Sequence, residues 1–296
     1  MIQSWRFVTL DVFTDRRFGG NPLAVFPNAV GLSDVQMQSL AAEMNLSETS
    51  FVLPPENPAH TARVRIFNRV AEIPFAGHPN VGTGYVLADW ARDGLLLFEE
   101  MAGLVEVRVT RDAKGEVART TVTAPQPLSR GPEMPVALLA GCVGLDTADV
   151  MVAAHQPVVA SVGNSFVLAE VTSDALGRAA PDLAAFRAAL APFPHLGPRR
   201  LPIYLYARDG EGKLRARMFL PLSGTVEDAA TGSAATPLAA LLLSLGSETR
   251  AAFEITQGVE MGRPSRLHAT AWRAADGVRA AVGGTCVPVF EGVVRL

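Results

Sequence analysis

Cysteine is scarce in this chain, and the two that are present, Cys142 and Cys286, form no metal-binding or redox motif. Neither a CxxC nor a CxxH spacing occurs, so a zinc site or a redox dithiol has no support. The two cysteines are far apart and have small or apolar neighbours. We therefore expect two buried free thiols, and the sequence alone leaves a disulfide between them open.

Motifs that would bind a cofactor are also missing. The chain contains neither a GxxxxGK[ST] loop nor a GxGxxG fingerprint, so nucleotide and dinucleotide binding have no sequence support. Its five histidines are well separated, and no HExxH pattern or compact cluster of His, Asp and Glu is present. We therefore expect no metal and no cofactor.

Long charged runs and long apolar runs are absent as well. The formal net charge is −3 and the arginines are scattered singly, which is not the footprint of a nucleic-acid-binding protein. The longest apolar stretch, near 238–245, is much shorter than the roughly 20 residues of a membrane span. The first residues show no basic segment followed by an apolar one. We expect a cytoplasmic protein that binds neither nucleic acid nor membrane.

The chain does contain enough hydrophobic sequence for two cores. Of its 296 residues, 49% are hydrophobic and 19% are charged, and this length exceeds what one core usually organises. A proline-rich stretch between 125 and 135 is typical of a linker. We predict two domains, 1–125 and 126–296, with the alternative that the last strand pairs with the first half.

Two short segments recur in the second half in the same order. Ser50-Phe51-Val52-Leu53 returns as Ser165-Phe166-Val167-Leu168, and Arg65-Ile66-Phe67 returns as Arg217-Met218-Phe219. Small residues that open a predicted helix, near 80–92 and 234–245, follow each Arg-x-Phe segment. The pattern indicates two duplicated halves with a site at their interface, because clefts between domains are preferred ligand sites.

The loops before these two helices, Gly77–Gly84 and Asp228–Ser233, are the first candidates for chemistry. Glycine lets the backbone approach a ligand, and the free N–H groups of a helix start suit a carboxylate or an enolate-like oxygen. The alternative is that small residues only let two helices pack closely. At a helix start His78 is favoured as a neutral imidazole, which donates one hydrogen bond and accepts another. A purely structural histidine is the other interpretation.

Acidic residues near these elements could transfer a proton. Glu48 follows a predicted helix and leads into a strand, where apolar neighbours would raise its pKa. A surface acid in a polar turn is the alternative. Asp228 is either a helix cap or an acid, and spacing does not separate it from Glu227. Arg263 is either a carboxylate partner or part of a solvated turn.

Together these segments resemble the PhzF-like (phenazine biosynthesis) family over nearly the whole chain. Five short segments in matching order carry the resemblance: Asp11-Val12-Phe13-Thr14 with Gly20-Asn21-Pro22-Leu23-Ala24-Val25; Asn45-Leu46-Ser47-Glu48-Thr49; Phe75-Ala76-Gly77-His78-Pro79; Glu227-Asp228-Ala229-Ala230-Thr231-Gly232-Ser233-Ala234; and Gln257-Gly258 with Met261-Gly262-Arg263-Pro264-Ser265. One departure is Ala229, since the family commonly has proline at this position.

The resemblance implies an α+β protein with the diaminopimelate epimerase-like fold. This fold has two pseudo-symmetric domains, each a curled, mostly antiparallel sheet around a central helix, with the site between them. The resemblance also implies a cofactor-free isomerase that moves a proton on a small, carboxylate-bearing substrate of the dihydro-hydroxyanthranilate type. Its implied catalytic residues are Glu48 as proton shuttle, with His78 and Asp228; its implied substrate-binding residues are Gly77, Gly232, Ser233, Thr231, Asn21 and Arg263.

Two other functions remain as hypotheses. One is a non-catalytic small-molecule binding protein on the same fold, and the other is an amino-acid epimerase or racemase. Related racemases use two cysteines as acid and base, and the matching positions here look like Gly77 and Asp228. Because Cys142 and Cys286 lie in neither loop, a two-thiol mechanism is disfavoured. The resemblance also suggests a homodimer.

Overall fold

The computed structural model describes residues 3–197 and 200–296, and the chain divides into two compact units. The first unit comprises Met1–Pro125 together with Gly283–Leu296, and the second comprises Gln126–Val282. The C-terminal strand therefore belongs to the first unit. Across the described ranges, every helix is too short or too polar to cross a membrane.

The first unit is a mixed sheet with two α-helices among its described residues. With numbering along the whole chain, its strands are β1 (Ser4–Val12), β2 (Asn21–Phe26), β3 (Glu48–Leu53), β4 (Ala62–Phe67), β5 (Glu72–Ile73), β6 (Leu95–Glu100), β7 (Gly103–Arg111), β8 (Val117–Thr123) and β19 (Cys286–Arg295), and its helices are α1 (Asp34–Met44) and α2 (Gly77–Val86).

The strands of the first unit pair in the order β19-β1-β2-β3-β4-β6-β7-β8, and β5 adds to β4. Only the β2–β3 and β4–β6 pairs are parallel among these. A parallel connection needs a crossover, and α1 and α2 supply the two crossovers.

Helix α2 is the buried centre of the first unit. All of its residues from Gly77 to Gly84 are buried, and it touches β1, β2, β3, β7, β8 and β19, so the sheet curls around it. A Cβ atom on Gly82 would lie 2.5 Å from Leu23 Cδ2, so glycine is needed for this close approach. The helix predicted near 80–92 was wrong at both ends, since α2 begins at Gly77 and ends at Val86. Pro79 is tolerated in the first turn because its missing N–H has no helical partner there.

Helix α1 packs against β3 and β4. Ser33 caps it in a capping box with Gln36, and Met37, Leu40 and Ala41 pack into an aromatic cluster of Trp5, Phe26, Phe51 and Phe67. Val35, although apolar, is not part of this face and is 76% exposed. At 100° per residue Val35 lies almost opposite the stripe that begins at Met37.

The second unit is also a mixed sheet with helices. Its strands are β9 (Ser129–Glu133), β10 (Val150–Met151), β11 (Val158–Ser161), β12 (Ser165–Val171), β13 (Ile203–Arg208), β14 (Lys213–Leu220), β15 (Thr225–Asp228), β16 (Arg250–Gln257), β17 (Ser265–Ala274) and β18 (Gly277–Gly284), and its helices are α3 (Val136–Val143), α4 (Ser173–Arg178), α5 (Leu183–Ala189) and α6 (Gly232–Leu245).

The second sheet repeats the pairing pattern of the first. Its order is β9-β11-β12-β13-β14-β16-β17, with β15 added to β14 and with the β12–β13 and β14–β16 pairs parallel. Helix α6 touches β11, β12, β16 and β17 and takes the place that α2 has in the first unit. Each unit thus has a curled sheet around one buried helix, which confirms the predicted α+β architecture.

This pairing pattern shows that only one of the two recurring segments lies at equivalent positions in the two sheets. The Arg-x-Phe segments lie on β4 and β14, which are equivalent strands of the two sheets. The segment Ser50–Leu53 lies on β3, whereas Ser165–Leu168 lies on β12, which is equivalent to β2. The sequence similarity between Ser50–Leu53 and Ser165–Leu168 therefore reflects residue types that are common in strands. It does not mark equivalent positions in the two sheets. The proline-rich stretch likewise contains a strand, β9.

Candidate active site

Glu48 is the first residue of β3 and does not lie in a polar turn. Helix α1 ends at Met44, and Asn45 takes a left-handed conformation (φ 52°) that redirects the chain toward the strand. Parallel pairing with Leu23 fixes the Glu48 backbone against β2. The Glu48 side chain is 21% exposed, so its carboxyl group is held by the sheet and is still accessible to a ligand.

Burial raises the pKa of Glu48 to about 7. Loss of hydration disfavours the carboxylate and is the dominant cause, while a hydrogen bond with Ser47 and the positive charge of Arg69 act in the opposite direction. A carboxyl group with this pKa populates both protonation states near neutral pH. That is the property that a residue needs to take up a proton and to return it.

His78 lies beside the Glu48 carboxyl group as the second residue of α2. Its Nε2 atom is 3.5 Å from Glu48 Oε2, and its side chain is 6% exposed. This separation is long for a hydrogen bond, and a small shift would bring it into range. Helix α2 begins after Ala76 without a side-chain cap from the described residues. Gly77 and His78 are the first residues of α2, and the start of a helix carries a partial positive charge that favours an anion.

Asn21 is connected to Glu48 through the neighbouring serine. Ser47 Oγ donates a hydrogen bond to Asn21 Oδ1 over 3.2 Å, and Asn21 is buried at the start of β2. Gly20, with φ +63°, makes the turn into β2, where a Cβ atom would lie 2.3 Å from Val12 O. The glycine before Asn21 is therefore required by the backbone.

An ion pair fixes the segment that leads into α2. Arg65 on β4 binds Glu72 on β5 through two parallel hydrogen bonds, Nε–Oε1 at 2.8 Å and Nη2–Oε2 at 2.6 Å. The guanidinium carbon lies 5.1 Å from the ring centre of Phe67. Bidentate geometry restricts both side chains, so β5 is held in place five residues before Gly77.

The second unit repeats this ion pair. Arg217 binds Glu227 with Nε–Oε1 and Nη2–Oε2 distances of 2.8 Å each, and its guanidinium carbon lies 4.8 Å from the ring centre of Phe219. Helix α6 begins at Gly232, again five residues after the glutamate. Both carboxylate oxygens of Glu227 are engaged by Arg217, so Asp228 is the candidate acid of this segment.

Asp228 and Thr231 form a compact turn before α6. Thr231 Oγ1 donates to Asp228 Oδ2 over 2.6 Å, and Thr231, not Asp228, is the N-cap residue. Helix α6 begins with Gly232, followed by the partly exposed Ser233. The predicted residues Asp228, Thr231, Gly232 and Ser233 are therefore brought together at one helix start.

Gln257 is the residue that organises this turn, and the sequence analysis did not assign it a role. Its Nε2 atom donates to Asp228 O (2.8 Å) and to Thr231 Oγ1 (3.0 Å). Its Oε1 atom accepts from Thr231 N (3.1 Å) and from the Tyr204 hydroxyl group (3.0 Å). The feature of the sequence that could have indicated this role was the Gln257-Gly258 pair, which is part of the fifth segment that resembles the PhzF-like family.

Arg263 belongs to the turn between β16 and β17, which is packed against the same loop. Its backbone N donates to Gly258 O over 3.0 Å, and Ser265 Oγ lies 2.9 Å from Ala229 O and 3.0 Å from Arg263 O. Gly258 has φ +75°, and a Cβ atom there would lie 2.5 Å from Arg263 O and 2.6 Å from Ala229 O. Only glycine fits this close approach.

The structure thus forms one cluster in each unit from the predicted residues. The first cluster holds Glu48, His78 and Gly77, with Asn21 attached through Ser47. The second holds Asp228, Thr231, Gly232 and Ser233, with the Arg263 turn attached through Gly258 and Ser265.

A family model described as a phenazine biosynthesis-like protein matches residues 10–292 of the chain. The chain belongs to the PhzF family. The trans-2,3-dihydro-3-hydroxyanthranilate isomerase of Pseudomonas aeruginosa is 39% identical to this PhzF-family chain over 295 residues, which cover 97% of the chain and 98% of that protein. The family predicted from the sequence is therefore confirmed.

Solved structures agree with this assignment at the level of the fold. The PhzF-family phenazine biosynthesis protein of Bacillus anthracis has a TM-score of 0.86 at 24% identity, with 99% of both chains covered. A hydroxyproline epimerase from Agrobacterium vitis has a TM-score of 0.66 at 12% identity, covering 99% of this chain and 93% of that one. The PhzF-family chain thus has the predicted diaminopimelate epimerase-like fold, and its full-length relatives identify it as an isomerase.

The two cysteines of this PhzF-family chain belong to neither cluster of predicted site residues. Cys142 is in α3 and Cys286 begins β19, and both are buried free thiols as predicted. Burial raises the pKa of each thiol to about 12, so neither is a thiolate at neutral pH. Gly77 begins α2, and Asp228 precedes α6. These look like the two positions at which a two-thiol racemase would need cysteine. These observations argue against the racemase hypothesis.

Proposed function

We propose that this PhzF-family chain is a cofactor-independent isomerase that moves a proton on a small carboxylate-bearing molecule of the dihydro-hydroxyanthranilate type. The single observation that carries the proposal is the Glu48–His78 pair, a largely buried carboxyl group with a pKa near neutrality beside the start of α2. The activity named for the Pseudomonas aeruginosa relative supports the substrate class.

In this mechanism Glu48 acts first as a base and then as an acid. Its carboxylate removes a proton from one ring carbon, and the electron pair of the broken C–H bond moves into the conjugated system of the ring. Protonated Glu48 then returns a proton to a second carbon, so the reaction shifts the position of a double bond without a net change in composition. His78 assists by a hydrogen bond that the present 3.5 Å separation nearly makes.

The charge that develops on the substrate needs fixed positive partners. We assign this role to the N–H groups at Gly77 and at Gly232 with Ser233, because helix starts present partial positive charge to an anion. We assign Asp228 to assisting the protonation of the substrate. Substrate binding is assigned to Thr231, Asn21 and Arg263. The cytoplasmic location and the homodimer stay predictions; the two free thiols are in keeping with a reducing compartment.

The proposal is tested by incubating the protein with trans-2,3-dihydro-3-hydroxyanthranilate in deuterated water. We expect an isomerised product that carries carbon-bound deuterium by mass spectrometry, because the partly exposed Glu48 carboxyl group exchanges its proton with solvent. Tight binding without product or label would indicate the binding-protein hypothesis. Loss of turnover on thiol alkylation would indicate the racemase chemistry instead.

The rate should also depend on pH through the base form of Glu48. Because the pKa of Glu48 is raised to about 7, its carboxylate is minor below that pH and dominant above it. We therefore expect kcat/KM to rise about tenfold for each pH unit below 7 and to level off above it. Initial rates between pH 5 and pH 8 measure this limb. A profile that is level from pH 5 upward would contradict the assignment of Glu48 as the base.

A further inference from the structure

Gln257 lies fully buried at the end of β16, and its neighbours allow a single orientation of its side-chain amide. Its Oε1 atom is 3.1 Å from Thr231 N, a backbone group that can only donate. Its Nε2 atom is 2.8 Å from Asp228 O, a carbonyl group that can only accept. Exchanging the amide oxygen and nitrogen would place donor against donor and acceptor against acceptor. Because such mismatches are costly in a buried site, the two backbone groups fix the amide.

This orientation determines where two hydroxyl groups point. Oε1 can only accept, so the Tyr204 hydroxyl group donates to it over 3.0 Å. Nε2 can only donate, so Thr231 Oγ1 accepts from it over 3.0 Å. Thr231 gives its own hydrogen to Asp228 Oδ2 over 2.6 Å, within the range of about 2.5–2.7 Å for a hydroxyl group bound to an ionised carboxylate. The hydrogen bonds therefore run in one direction, from Gln257 through Thr231 to the carboxylate of Asp228.

The sheet holds Gln257 in place behind this turn. Gln257 on β16 is paired with Ser265 on β17, and both side chains are fully buried. Ser265 Oγ lies 2.9 Å from Ala229 O, while Gln257 Nε2 donates to Asp228 O. Two neighbouring strands thus contact two successive carbonyl groups of the turn before α6. Strands position a site more precisely than loops do, so the turn takes its geometry from this pair of strands.

We infer that Gln257 is a positioning residue of the proposed reaction, which directs the Thr231 hydroxyl group at Asp228 and so holds this carboxylate for the protonation step. The inference rests on the proposed function, in which Asp228 assists the protonation of the substrate. Gln257 is fully buried, so it acts through Thr231 and the turn and not by touching a ligand. Thr231 accordingly has a part in proton transfer as well as in binding.

The test measures, in deuterated water, the fate of the substrate after Glu48 has removed its proton. Protonation at the second carbon gives the isomer, whereas transfer of deuterium from exchanged Glu48 back to the first carbon gives labelled substrate. Gln257→Met keeps the side-chain length and removes all four hydrogen bonds. Protonation at the second carbon should then slow about 10- to 100-fold, the effect of a misplacement of about 1 Å.

The quantity to compare is the ratio of labelled trans-2,3-dihydro-3-hydroxyanthranilate to product, determined by mass spectrometry. We expect this ratio to rise about tenfold or more in Gln257→Met, because proton removal by Glu48 continues while the forward protonation is slowed. A structural role alone would slow both protonations together. An unchanged ratio in Gln257→Met would therefore overturn the inference.

Two further variants separate the Thr231 hydroxyl group from the fold of the turn. Thr231→Val removes the hydroxyl group and keeps the backbone N–H that binds Gln257 Oε1. It should raise the ratio as Gln257→Met does, and it decides the question if Gln257→Met does not fold. The matched control Gln156→Met changes an exposed glutamine and should leave the ratio and the turnover unchanged. A wild-type ratio in Thr231→Val would overturn the inference.

A measurement without substrate distinguishes a failure of this inference from a failure of the proposed function. The backbone N–H at position 231 donates to Gln257 Oε1, and NMR follows its exchange with deuterated solvent. Exchange should be about tenfold faster in Gln257→Met and unchanged in Thr231→Val and Gln156→Met. Equal rates in the wild type and Gln257→Met would overturn the inference whether or not substrate is turned over. A wild type that neither labels nor isomerises the substrate would contradict the proposed function, and the exchange rate at position 231 would still decide whether Gln257 holds the turn.

Discussion

Replacing Glu48 by glutamine is expected to lower kcat/KM by about 10²- to 10⁴-fold, the contribution usual for a general acid–base residue. Glutamine has nearly the same shape, but it cannot take up or return a proton. Turnover of trans-2,3-dihydro-3-hydroxyanthranilate measures the effect. The matched control is Glu43→Gln, an exposed acid near the end of α1, which should leave turnover unchanged. Full activity of Glu48→Gln would remove Glu48 from the mechanism.

The same substitution should make the protein more stable above neutral pH. The pKa of Glu48 is raised from 4.5 in the unfolded chain to about 7 in the folded one, so stability is greatest below pH 4.5 and is lost as pH rises through 7. By this linkage the charged carboxylate costs up to about 3 kcal/mol above pH 7, which glutamine removes. Thermal unfolding at pH 5 and pH 8 should show a gain for Glu48→Gln only at the higher pH.

These two effects together separate a catalytic role from a structural one. A residue that only supports the fold loses activity and stability together when it is replaced. Above pH 7, Glu48→Gln should lose activity while it gains stability. Burial of the ionised carboxylate raises the pKa of Glu48 to near 7 and, for the same reason, destabilises the folded state. A parallel loss of both would mean that Glu48 serves the start of β3 and not the reaction.

The features that could be predicted from the sequence are those that depend on neighbouring residues. The capped start of α1 at Ser33 is a local signal, and its N-cap and capping box are present. The small residues before α6 also mark a helix start, which lies at Gly232. The helix start at Gly77 was missed because the Gly-His-Pro segment contains glycine and proline, which usually interrupt helices. Burial of α2 inside a curled sheet overrides that local preference.

The features that could not be predicted depend on residues that are distant in the sequence. Gln257 binds Asp228 and Thr231 across more than 25 positions. Single glutamines and glutamates carry no pattern that distinguishes these positions from solvated ones. The choice between Glu227 and Asp228 was likewise open until Arg217 was found to occupy both Glu227 oxygens.

Replacing Arg217 by methionine is expected to lower the free energy of unfolding by about 3–5 kcal/mol, the usual cost of breaking a buried ion pair on one side. Arg217 is 8% exposed and Glu227 is 14% exposed, so the substitution would leave a buried carboxylate without its counter-charge. It would also remove donors to Leu176 O and Ala179 O at the end of α4. Urea denaturation measures the loss.

Two further variants decide the reason for that loss. Arg6→Met breaks a pair with Glu291 in which both side chains are largely exposed, and it should cost no more than about 1 kcal/mol. The double variant Arg217→Met/Glu227→Met removes both charges and should recover much of the stability, because apolar pairs often replace buried ion pairs well. If Arg217→Met cost no more than Arg6→Met, the pair would not be a structural element of the second unit.

The double variant also tests what the ion pair does for the turn at Asp228. Glu227 immediately precedes Asp228, and its equivalent Glu72 lies at the same distance from the start of α2. If the pair holds the segment before α6 in place, the double variant should regain stability and still react more slowly than the wild type. Recovery of both properties would limit the pair to folding. Recovery of stability alone would show that the Arg217–Glu227 pair aligns the start of α6.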